Sequence, residues 1–242
     1  SLIAAIGSDG AANLSIEFGG PGLRHLNIDE RMAVANMAVE AGAETCVFEA
    51  DEQVHAFAKA HGWRARSAVG PDADARYQWT RVIDLDALEP LVAVPPSPAY
   101  GTLLSELIGT KVDQVYIGNC SNGTLTDLRQ AASILRGRKV SRNVRVVIVP
   151  ATNAIYRQAA SEGLLEVFAA AGAAVSLPTC GACFGGHMGV LAQGETAIAT
   201  TNRNFKGRMG HPDSRVYLSN AWVAAAAAIG GEIVDPSMLS AI

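Results

Sequence analysis

The sequence predicts an α/β protein built as two α/β domains, each a mostly parallel sheet covered by helices. Three observations predict it. Short β-branched runs such as VRVVIVP alternate with helix-length segments through the second half. Glycine, proline and polar clusters punctuate those runs. A proline-rich stretch, VAVPPSPAYG, then reads as a linker, because three prolines in five residues cannot continue a helix or a central strand. The domain boundary is placed near residues 92–100, giving domains 1–95 and 96–242.

The first domain opens its main helix at NIDERMAVANMAVEAGA. Asn27 is an N-cap candidate, and Glu30 three residues on completes a capping-box pattern. Met32, Ala35, Met37 and Val39 are expected to form its apolar side, and Gly42 to end it. TCVFEA reads as a short strand, DEQVHAFAKAHGW as a second helix, and RYQWTRVIDL as another strand after the polar turn GPDADA.

In the second domain DQVYIG is a strand, TLTDLRQAASILRG a helix, VRVVIVP a strand, and NAIYRQAASEGLLEVFAAAG one or two helices. AAVSLP, ETAIAT and RVYLSN are further strands, and NAWVAAAAAIGG closes with a helix. Near-continuous apolar strands separated by helices argue for a parallel sheet.

Composition excludes several function classes. Nineteen basic against 23 acidic residues leave a net charge of −4, which offers no electrostatic case for nucleic acid or an anionic membrane. No apolar run reaches the roughly 20 residues of a membrane span; AWVAAAAAIGG is too short. Four cysteines without a secretory signal pattern point to the cytoplasm, where thiols bind metals or do chemistry. With no initiator Met, Ser1 is expected to begin a chain that was cut, trimmed or separately encoded.

Cys120, in YIGNCSNG, and Cys180 and Cys183, in LPTCGACFGGHMG, carry most of the functional information. Both motifs follow predicted strands, and open α/β sheets place ligand sites at the carboxyl ends of strands. Three readings stand. Buried free thiols are one. A Cys3His zinc site with His187 as fourth ligand is the second. A cubane iron–sulfur cluster is the third; three thiolates leave one iron without a protein ligand, able to act as a Lewis acid on a substrate hydroxyl.

Arg203 and Arg208, in TTNRNFKGRMG, lie beside Asn202 and Asn204. Two guanidinium groups suit a polycarboxylate; a solvated basic turn is the plainer alternative. Asn36 and Glu40 are four apart and share a helix face with apolar flanks. A carboxylate there suits acid/base work, although the residues alone favour an exposed polar stripe. Ser219 is expected to cap the final helix, and Cys46 to be a core thiol.

Together these motifs resemble the aconitase superfamily, most of all the large catalytic subunits of the 3-isopropylmalate dehydratase and homoaconitase type. The resemblance runs from RMAVANMAVEAGA through YIGNCSNGTLTDLRQAA, LPTCGACFGGHMGVLAQGE and ATTNRNFKGRMG to SNAWVAAAAAIGGEIVDP. It implies a 4Fe–4S cluster on Cys120, Cys180 and Cys183. It also implies substrate-binding roles for Asn36, Asn202, Arg203 and Arg208, and catalytic roles for Glu40, Arg203 and Arg208. The implied activity is that of a hydro-lyase that dehydrates and rehydrates a 2-hydroxy di- or tricarboxylic acid, as in leucine biosynthesis. The family's N-terminal domain, with its GDSHT-like motif, and its small swivel-domain subunit have no counterpart here. The isolated chain is therefore expected to be inactive. A non-catalytic metal- or cluster-binding module, zinc-stabilised or iron-sensing, is the alternative.

Overall fold

A computed structural model describes residues 1–63 and 70–239. The first part holds α1 (Leu2–Ile6), β1 (Ser15–Phe18), α2 (Ile28–Met37), β2 (Thr45–Phe48) and α3 (Glu52–Ala60). β1 and β2 pair in parallel as a two-stranded sheet. The expected capping box is formed: Asn27 Oδ1 accepts from the Glu30 N–H at 3.0 Å, and the Asn27 N–H donates to Glu30 Oε2 at 2.8 Å. A 3-10 turn, Ala38–Ala41, continues α2 until Gly42, whose φ of 82° lets the chain turn away.

The expected apolar side of α2 is not its buried side. Met32 and Val39 are exposed, while Arg31 and Glu40 are buried. Arg31 can be buried because its guanidinium donates to the carbonyls of Leu23 and Leu26 and to Asp51. The strand expected at RYQWTRVIDL is also absent: residues 76–85 form no strand, and Val82 is 90% exposed. Its β-branched residues find no neighbouring strand, and propensity without a ladder does not make one.

The second part holds β3 (Leu91–Ala93), β4 (Gly101–Leu103), α4 (Leu104–Leu107), β5 (Gln114–Gly118), α5 (Asn119–Asn122), α6 (Leu125–Leu135) and β6 (Arg145–Val149). Then come α7 (Asn153–Ser161), α8 (Leu164–Ala171), β7 (Ala174–Val175), β8 (Thr196–Ala199), β9 (Arg215–Leu218) and α9 (Ala221–Gly230). The sheet has seven strands in the order β4-β3-β9-β8-β5-β6-β7. Strands β5 to β9 run parallel to one another; β3 runs antiparallel to both β4 and β9. VAVPPSPAYG is thus the turn of the β3–β4 hairpin, not a free linker.

Alternation along the strands divides the core into two faces. Val115, Ile117, Val146, Ile148 and Ile198 point to one, packed with Leu128, Phe168 and the alanines of α9. Tyr116, Val147, Val149, Ala197 and Ala199 point to the other, packed with Ala182, Cys183, Leu191 and Met209. Helices cover the first face. Loop segments, carrying a cysteine, pack on the second. The cap of α9 is Asn220, whose Oδ1 accepts from the Val223 N–H at 2.9 Å; Ser219, expected in that role, instead donates to the Asn220 carbonyl.

Candidate metal and carboxylate site

The carboxyl ends of β5, β7 and β8 build one site. β5 is fully buried and ends at Gly118, where φ is 125° and an added Cβ would lie 1.9 Å from the Val149 carbonyl oxygen. Only glycine fits there. The chain then turns through α5, placing Cys120 at its surface. The Gly118 N–H donates to Thr200 Oγ1 at 2.8 Å, and Asn122 Nδ2 donates to the Thr200 carbonyl at 2.5 Å. These bonds lock the loop after β5 to the loop after β8.

Past β7 the chain reaches Cys180 and a 3-10 turn, Gly181–Phe184, that holds Cys183. Tyr116, from the loop-covered face of β5, donates its hydroxyl to the Cys180 carbonyl at 3.2 Å. Burial first, and then the three neighbouring thiols of Cys183, Cys180 and Cys120, push its phenol far above the usual tyrosine range. Tyr116 therefore lies within electrostatic reach of all three cysteines. None is in a disulfide; Cys120 and Cys180 are exposed and Cys183 is buried.

Burial raises the Cys183 thiol, opposed by Arg208 and Asn119. A bare thiolate is disfavoured in such a place, and a metal's positive charge removes the difficulty. Among the described residues no three His, Cys, Asp or Glu groups are placed to hold one metal ion. The His187 Nε2 instead lies 3.0 Å from Thr179 Oγ1. The His187 ring is thus engaged by Thr179. Three free thiols on two loops are a donor set that suits an iron–sulfur cluster, in which each thiolate binds its own iron.

The loop after β8 supplies the remaining groups. Asn202 Nδ2 donates to Asn36 Oδ1 at 3.1 Å and lies 3.4 Å from Glu40 Oε1. Arg203 Nε donates to Glu40 Oε1 at 2.5 Å. Glu40 is 5% exposed, so it is no part of an exposed stripe, and Arg203, still partly exposed, is tied to it by an ion pair. Asn36 lies in α2 but Glu40 lies in the 3-10 turn beyond it, which directs both toward the same asparagine. Arg208 Nε donates to the Cys183 carbonyl at 2.8 Å, fixing the second arginine beside the cysteine loop.

Sequence reasoning passed over Asn119, whose Nδ2 donates to Cys183 Sγ at 3.2 Å, and Tyr116. Asn119 had a signal in hand: it stands between a glycine and a candidate ligand, where a side chain must have a job. Tyr116 had none beyond its place in an apolar strand.

A sequence model of the aconitase family (aconitate hydratase) matches residues 1–110 and 104–231. The large subunit 2 of 3-isopropylmalate dehydratase from Rubrobacter xylanophilus is 60% identical over 239 residues, covering 99% of this chain and 56% of that protein. The large subunits from Acetivibrio thermocellus and Clostridium kluyveri are 51% and 52% identical, covering 98% and 97% of this chain and 57% and 56% of theirs. The chain thus spans little more than half the length of these relatives.

Proposed function

The chain belongs to the aconitase family, and on that premise we propose that it is the cluster-holding part of a 4Fe–4S hydro-lyase in the cytoplasm. Its proposed substrate is a 2-hydroxy di- or tricarboxylic acid, 3-isopropylmalate first, after the names its relatives carry, and a homoaconitase-type acid second. The observation that carries this reading is the meeting of Glu40 with Asn202 and Arg203 beside the cysteine loops. A carboxylate, an arginine and an amide brought together over so long a sequence span are machinery for a polar reaction.

Held by Cys120, Cys180 and Cys183, a 4Fe–4S cluster would supply a Lewis-acidic iron without a protein ligand. Arg203 and Arg208 bind the substrate carboxylates by charge-assisted hydrogen bonds. Both contacts to Glu40 address Oε1, so Oε2 is the oxygen that holds or moves a proton. Asn36 orients Asn202, and Asn202 orients Glu40. Tyr116 and Met209 keep water from beneath the site, being fully buried on the same sheet face.

The proposed organisation is two α/β units, divided ahead of β3 rather than at residue 95 because β3 and β4 form one hairpin of the larger sheet; they act with a small swivel-domain subunit and with the rest of the length seen in the relatives. Alone, the chain is expected to show no turnover. The test is anaerobic purification with iron, zinc and acid-labile sulfide measured per chain. About four iron and four sulfide support the reading. About one zinc without sulfide overturns it in favour of a structural metal module. Turnover of 3-isopropylmalate on adding the complementary parts would then fix the substrate.

A further inference from the structure

Asn119 is 2% exposed and sits at a φ of 87°, a left-handed conformation that non-glycine residues rarely adopt. Its side chain is fixed at both ends. Oδ1 accepts from the backbone N–H of Ser121 at 2.9 Å, and Nδ2 donates to Cys183 Sγ at 3.2 Å. Exchanging the two amide atoms would set a donor against the Ser121 N–H, so the amide must aim its N–H groups at the sulfur. The strained backbone, the Ser121 bond and the burial all serve one outcome: a neutral donor held against one thiol of the three.

The geometry points to Asn119 as a positioning residue for the cluster, one that donates to the Cys183 thiolate and so raises the reduction potential of the group bound there. This rests on the cluster reading above. Hydrogen bonds to cluster sulfurs draw off negative charge and favour the reduced, more negative state; they are among the levers by which a protein sets a cluster's potential. The thiols also differ in exposure, Cys120 and Cys180 being exposed and Cys183 buried, so the three thiolates are expected to be unequal.

The test is an EPR-monitored redox titration of the reconstituted chain and two variants. Asn119→Gly removes the donor while accepting the positive φ. Asn119→Asp keeps the acceptor for Ser121 and sets a carboxylate against the sulfur. Expected is a potential order of wild type, then Gly, then Asp, the Gly variant shifting the reduction equilibrium about tenfold, or about 59 mV for one electron. Equal potentials in fully loaded proteins would overturn the role of Asn119 while leaving the cluster reading intact. A wild-type chain that takes up no iron and sulfide would overturn both. Wild type that loads beside two variants that do not would also overturn it, by making Asn119 a folding residue.

Discussion

The helix-covered face of the larger sheet and the segment from α2 to Gly42 differ in what they bury. In the seven-stranded sheet β5 and β8 are buried at every position, and the core on their helix-covered face is aliphatic throughout but for one phenylalanine. In α2 and the turn that follows, the buried side chains include Arg31 and Glu40 while Met32 and Val39 face outward. The sheet is built to stand, and α2 is built to deliver. A helix whose charged residues point inward is held by what those charges meet, and its hydrophobic pattern alone misreads its orientation.

The sharpest break of this comparison is in the sheet. Gly118→Ala sets a Cβ against the Val149 carbonyl at a φ of 125°, and should cost about 3 kcal/mol or more, enough to threaten the fold. Urea unfolding measures it. A loss under about 1 kcal/mol would mean that the β5–β6 edge is far softer than its packing implies.

In the turn after α2 the corresponding change is expected to act on the proposed chemistry. Glu40→Gln should lower kcat of the assembled enzyme by about 10²–10⁴, with iron and sulfide content unchanged. Unaltered turnover would remove Glu40 from proton transfer.

A matched pair sharpens the contrast further. Leu128→Ala, at a fully buried site beneath the sheet, should cost about 2–5 kcal/mol. Met32→Ala, 46% exposed on α2, should stay within about 0.5 kcal/mol. Equal losses would show that α2 has a second apolar partner in solution.

The smallest effect concerns acid. The hydrogen bond from Arg31, first, holds the Asp51 carboxyl at about 2, below its usual 3.8. A depressed carboxylate contributes stability that is fully present above the unfolded value and is lost as pH falls through the folded one. Unfolding midpoints should therefore decline between about pH 4 and pH 2, and Asp51→Asn should flatten that part of the slope.

The same contrast explains what could be read from sequence. Strands β5, β6, β8 and β9 and helices α6 to α9 were legible because apolar runs and turn residues agree with the final packing. Strands β1, β3 and β4 were not, being three or four residues long and set by pairing rather than pattern. RYQWTRVIDL misled for the converse reason: it has strand propensity and no ladder to join. Of the site, the cysteine loops could be placed from their position after strands. The contact of Asn36 and Glu40 with Asn202 and Arg203 could not, because no local pattern marks a pairing between residues 162 to 166 positions apart. The sulfur-facing amide of Asn119 lies further still from view, since it depends on a backbone angle that sequence does not state.

The Glu40–Arg203 bond joins residues 163 positions apart. On a ribosome adding about 5–20 residues per second, Glu40 emerges roughly 8–33 s before its partner exists. Cys120 likewise precedes Cys180 by 60 residues of synthesis. The nascent chain thus carries its carboxylate unpaired and its first thiol alone while most of the larger sheet is still unmade. On the proposed cluster reading, the full set of thiols exists only once translation has passed Cys183.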